Sequence, residues 1–103
     1  MVIIDRILED LGIAKAVIST FKNQDLMHGI NSLKREILKG NFNPKNGSHG
    51  TYKTHNVQVA QVKNGARYYF RVLGKYKVKA LAIIDKNNQE EVEGRVYPKS
   101  SDF

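Results

Sequence analysis

The chain contains no cysteine. That excludes disulfides and thiolate metal sites, and a cytoplasmic setting is expected. No apolar run approaches the roughly 20 residues needed to span a bilayer. Asp5, Arg6, Glu9 and Asp10 interrupt residues 1–20, so no signal peptide is expected there. No internal repeat or low-complexity segment occurs. Walker spacing, a dinucleotide fingerprint and a Gly-x-Ser-x-Gly elbow are also missing. The most informative absence is of acid. Residues 41–84 carry eight basic groups and no acidic one, whereas residues 1–40 hold six basic and five acidic. With a net charge of +7, this block points to a polyanionic partner, nucleic acid first. An anionic membrane is a poorer fit, because the charge falls on strand-like sequence and not on a basic amphipathic helix. His49 and His55 share no metal-ligand spacing and have no carboxylates nearby, so neither a metal nor another cofactor is expected.

What is present reads as one small domain of 103 residues. Residues 1–40 are helical in pattern, 41–54 form a loop, 55–97 an antiparallel sheet and 98–103 a tail. In the first segment Ile3, Ile7, Leu8, Leu11, Ala14 and Ile18 follow a helical period that Gly12 weakens or breaks. Asp25 is a candidate N-cap for a second helix, with a stripe of Leu26, Ile30, Leu33 and Ile37 and a stop at Gly40. In the loop, Gly-Ser-His-Gly (47–50) could present backbone amides to a phosphate, although a plain surface loop is the better reading. Residues 90–97 (EEVEGRVY) admit two readings. Asn88 and Glu91 suggest a capped helix, while Gly94 and Pro98 favour a strand, which is the reading adopted.

The turns predict the pairing. Asn64-Gly65 is a strong signal for a two-residue type I′ hairpin, which sets Val59 opposite Phe70 and Gln58 opposite Arg71. A three-residue turn around Gly74 sets Arg71 opposite Lys79 and Val72 opposite Val78. Strict alternation then places Val57, Val59, Tyr68, Phe70, Val72, Val78, Ala80, Ala82 and Ile84 on a core face. Asn56, Gln58, Arg67, Tyr69, Arg71, Lys77 and Lys79 fall on the other, with Leu81 and Ile83 at its far end. The expected fold is α+β, with N-terminal helices on one face of a four-stranded antiparallel β-meander.

Pairing the last strand beside the third gives a row of Gln58, Arg71, Lys79 and Tyr97, with Lys53 and His55 entering at the same end. Arginine can clamp a phosphate bidentately and stabilise charge developing on it. A lysine or histidine can accept a 2′-hydroxyl proton, and tyrosine can stack or donate. Lys53, His55, Arg71, Lys79, Arg95 and Tyr97 are therefore candidate catalytic residues for metal-free phosphodiester chemistry. Lys45, His49, Gln58, Arg67, Tyr69 and Lys77 are candidate nucleic-acid contacts. The plainer alternative for Lys77 and Lys79 is a solvated strand face guarded against aggregation.

The helices followed by a meander with a cationic face resemble the RelE/ParE-type toxin fold, and more broadly the barnase, EndoU, colicin and RelE group of small ribonucleases. RYYFRVLGKYKVKALAIIDK is similar to that family's middle hairpin. GRVYPK is similar to its closing strand, where Arg95 and Tyr97 would be catalytic, and Lys53 stands where such toxins often place a lysine. Met1 to Ile4 could supply the family's short strand before the helices. The resemblance implies a metal-independent endoribonuclease acting on mRNA, free or ribosome-bound, or on tRNA. It would leave a 2′,3′-cyclic phosphate and be restrained by a cognate antitoxin or immunity protein. The alternatives are a non-catalytic nucleic-acid-binding module, or a ParE-like toxin that inhibits a protein such as gyrase.

Overall fold

A computed structural model describes residues 3–6, 18–20, 22–45, 50–54 and 57–97. The fold is α+β. Strands β1 (Ile3–Arg6), β2 (Tyr52–Thr54), β3 (Val57–Gln61), β4 (Ala66–Gly74) and β5 (Lys77–Asp85) form one sheet. Its order is β1-β5-β4-β3-β2. Strands β2 to β5 are a four-stranded antiparallel meander, and β1 joins β5 in parallel. Helix α1 (Gln24–Leu38) precedes the meander, and helix α2 (Gln89–Val96) follows a 3-10 turn at Lys86–Asn88.

Helix α1 buries the expected stripe of Leu26, Ile30, Leu33 and Ile37, together with Gly29. Fully burying each large aliphatic contributes about 1.5–3 kcal/mol before entropy is counted. Its N-cap is Asn23, whose side chain accepts from the Leu26 amide at 3.2 Å, so Asp25 lies inside the helix. Gly40 ends it with φ of 96°, a left-handed conformation that costs glycine little.

The β3–β4 connection differs from expectation. The Gly65 amide donates to Val62 O, and the Val62 amide donates to Ala66 O, both at 3.0 Å. The loop has three residues, Lys63, Asn64 and Gly65, and Gly65 has positive φ, at 103°. This is the bulged three-residue turn and not a type I′ pair. The register shifts by one, so Gln58 pairs with Phe70 and Val59 with Tyr69. A one-residue slip exchanges the faces of β3. At the other hairpin Arg71 does pair with Lys79 and Val72 with Val78, as expected. Beyond Phe70 the ladder bulges, so Tyr69 pairs with Ala82 and Leu81 is the extra residue.

One face of the meander therefore holds Gln58, Ala60, Tyr68, Phe70, Val72 and Val78. Helix α1 covers it: the space beside Gly29 is filled by Val62, and Gln58 donates to Phe42 O just after the helix. The second face holds Tyr52, Val57, Val59, Arg67, Tyr69, Arg71, Lys79 and Ala82. Helix α2 packs on this side through Val92 and Val96.

Residues 90–97 are thus not a fourth strand of the meander. The outer edge of β5 is already occupied by β1, so no partner remains there. Positions 89, 92, 93, 96 and 97 form a helical stripe instead. Glu90 and Glu91 sit in the first turn and Arg95 in the last, which suits the helix dipole. Gly94 is exposed, where glycine costs only its propensity of about 1 kcal/mol. The fourth antiparallel strand is β2, at the opposite edge, within the stretch expected to be loop. The possible strand at Met1 to Ile4 corresponds to β1, two residues further on. The Gly-Ser-His segment, the Gly12 break and the tail fall outside the described residues.

Candidate functional site

The second sheet face has two adjoining zones. Register pairs Arg71 with Lys79 and Lys79 with the β1 position Asp5, and at the other edge Thr54 pairs with Val57. Arg71 and Lys79 are half-buried, and Lys77 is exposed one pleat nearer the hairpin. Directly opposed residues bring their Cβ atoms to about 4.5–5.5 Å. Beyond Lys77 the hairpin tip carries Lys75 and Tyr76, with the Lys75 ammonium 5.6 Å from the ring centroid.

The other zone lies under α2, about 7 Å further along β4. The Tyr69 hydroxyl donates to Glu93 Oε2 at 3.1 Å, and Gln89 Nε2 donates to the Tyr52 hydroxyl at 3.2 Å. The Tyr97 ring is tilted against Tyr69 at a centroid distance of 6.4 Å, and its hydroxyl is buried. Burial, and then Glu93, holds the Tyr52 phenol above its ordinary range. The same two influences push Tyr69 and Tyr97 much further up. All three phenols therefore stay protonated around neutrality. Arg67 enters from the same face, donating to Ala66 O at 3.1 Å and Val62 O at 3.4 Å, while its Nε is buried without an acceptor.

Several expected site residues are displaced. Gln58 is 8% exposed and lies on the α1 face, where Phe42 O occupies its amide, so it does not stand in the row with Arg71. Tyr69 is 0% exposed and has no ring face to offer a base. Lys53 is exposed on the edge strand, paired with Gln58 and so on the α1 side. Arg95 is exposed on α2, not on a strand beside Leu81. Tyr97 shares a face with Arg71 and Lys79 but turns its hydroxyl inward toward Glu93 and Tyr52. Lys45 is exposed in the connection after α1. His49 and His55 lie outside the described residues. Arg71, Lys79 and Lys77 are the expected residues that register brings together.

Sequence reasoning passed over Glu93, Tyr52 and Tyr76. The spacing of Gln89, Val92, Glu93, Val96 and Tyr97 carried the signal for Glu93, once read with a helical period. By pattern Tyr76 is a turn residue, but its position between two lysines is the interleaving of cation and ring that single-stranded nucleic acid favours.

Among the described residues no group of three His, Asp or Glu side chains is placed to hold a metal ion. No helix among them is long and apolar enough to cross a membrane. Comparison with protein-family models, with curated proteins and with solved structures finds no match.

Proposed function

We propose that this chain binds RNA on the cationic end of its second sheet face and cleaves it without a metal ion. The observation that carries this reading is the direct pairing of Arg71 with Lys79 across β4 and β5, flanked by Lys77 in a stretch without a single acidic residue. The element order also supports it: a short strand, a helical segment, then a meander, as in the toxins the sequence resembles.

In this reading Arg71 grips the scissile phosphate through its guanidinium fork and offsets the charge that builds there. The 2′-oxygen attacks the adjacent phosphorus, and the bond from phosphorus to the 5′-oxygen breaks. The 2′-hydroxyl proton passes to the Lys79 side chain, and solvent protonates the departing 5′-oxygen. The products are a 2′,3′-cyclic phosphate and a 5′-hydroxyl end. Tyr97, Tyr69 and Glu93 fix α2 to the sheet beside this zone. A cognate inhibitory protein, as in toxin–antitoxin pairs, would restrain the activity in the cell.

A second reading, a binding module without catalysis, is favoured by one feature. The phenols expected to act on substrate are turned inward. Expression under tight control, followed by analysis of total and translating RNA, separates the two. Cleavage with cyclic-phosphate ends, persisting with purified protein in EDTA and lost in Arg71→Lys and Lys79→Ala, is the expected result. Intact RNA that is nonetheless bound would favour the module, and intact, unbound RNA would sink both.

A further inference from the structure

We infer that the β4–β5 hairpin tip is the element that selects unpaired RNA, with a splayed base resting on the Tyr76 ring and its flanking phosphates on Lys75 and Lys77. This rests on the RNA-binding reading above and names the form of RNA that the site takes.

Tyr76 is 60% exposed and Leu73 is 39% exposed. Both belong to one tip, whose other residues are Gly74 and Lys75. A large ring left in water at a turn gains nothing for the fold, since burial is what makes apolar surface stabilising. It does present a rigid stacking surface with few torsions to immobilise. The Lys75 ammonium, 5.6 Å from the ring centroid, sits within cation–π range. A base stacked on Tyr76 would therefore bring its own phosphate close to a positive charge.

The surrounding charge fits the same partner. Residues 71–79 (RVLGKYKVK) contain four basic side chains and no acid. Lys77 and Lys79 fall on one face about 7 Å apart, continuing from the tip toward Arg71. A strand laid along this line meets a ring first and cations afterwards. In a duplex each base already stacks on its neighbours, so a projecting ring finds no base face to cover. Single strands offer one at every nucleotide, whatever the sequence.

The test uses the full chain and a fluorescent 12-nucleotide unstructured RNA. It is 2′-O-methylated so that binding is read without cleavage, and is compared with the duplex of the same sequence. Wild type is expected to prefer the single strand. Tyr76→Ala should weaken single-strand binding about tenfold and duplex binding less than twofold. Tyr76→Phe and Tyr76→Trp should keep the preference. Lys75→Ala should weaken both substrates. Circular dichroism checks that each variant is folded. An unchanged single-strand to duplex ratio in Tyr76→Ala, while wild type still binds RNA and Arg71→Ala reduces that binding, overturns the role of the tip and leaves the function standing. Wild type that binds neither RNA overturns both.

Discussion

The Tyr69 hydroxyl, carried at the centre of the sheet, donates to Glu93 of α2 at 3.1 Å. This contact ties the last helix to the strand that also presents Arg71. The phenol is buried and the carboxylate is partly so, and the apolar contacts of Val92 and Val96 lie on the same side of the helix. A hydrogen bond to a charged acceptor contributes about 1.5–3 kcal/mol. Tyr69→Phe is expected to destabilise the protein toward the lower end of that range, read as the urea midpoint. Glu93→Ala leaves the buried phenol unsatisfied and should cost about as much. A double-mutant cycle should show the two losses to be coupled, with the double variant less destabilised than their sum. Additive losses would mean that the contact contributes little in solution.

The same cluster gives a pH dependence. Tyr52, Tyr69 and Tyr97 are raised in the folded state, first by burial and then, for all three, by Glu93. In the unfolded chain a phenol ionises near pH 10. Above that value the unfolded state binds fewer protons than the folded one, so stability falls as pH rises. Below it the phenols contribute no slope. The stability gap between wild type and Tyr69→Phe should be constant up to about pH 9 and narrow above pH 10. A gap that widens there would contradict the environment described for Tyr69.

Gly29 faces Val62 so closely that an added Cβ would lie 3.1 Å from both of its methyl groups. Alanine gains up to about 1 kcal/mol of helix propensity, but overpacking costs about 1–3 kcal/mol. Crowding against a buried β-branched side chain should win, so Gly29→Ala is expected to lower the melting temperature. Adding Val62→Ala should recover part of the loss. A stabilised Gly29→Ala would show that α1 can shift outward cheaply.

Gly65 holds φ of 103°, and a Cβ there would approach Asp85 Oδ1 to 3.1 Å. That carboxylate accepts from the Asn87 amide at the start of the turn into α2. Gly65→Ala should cost about 1–2 kcal/mol from the left-handed backbone alone, and Gly65→Asn less. Chemical denaturation measures both. Equal losses for the two would argue against a left-handed residue at this point.

Salt dependence discriminates among the cations. For single strands the slope of log affinity against log salt changes by about 0.7 per phosphate neutralised. Arg71→Ala and Lys79→Ala should each make the slope shallower by about that amount, whereas Arg95→Ala, exposed on α2, should leave it unchanged. A loss at Arg95 equal to that at Arg71 would place the RNA across α2 instead.

Local pattern was enough for several features. Spacings of four, three and four marked the buried stripe of α1 from Leu26 to Ile37. The expected pairing of Arg71 with Lys79 holds, although the tip closes on two residues, with Gly74 opposite Lys77 and the ladder irregular at Leu73. The absence of acid from 41–84 is likewise visible before any folding. Other features depended on where distant segments lie. Residues 90–97 had a passable strand pattern, but β1 arrives from the far end of the chain and fills the edge they needed, so they become α2. The face of Gln58 turned on one extra loop residue at Lys63–Gly65, and the faces beyond Phe70 on the bulge at Leu81. Glu93 met Tyr69 only because that helix then folded back across the sheet. Sequence alone therefore determined which side chains alternate, since alternation is fixed by the pleat within each strand. The tertiary structure decided which face each strand turns to which helix, since that depends on edge occupancy and register, and both are set by contacts far apart in the chain.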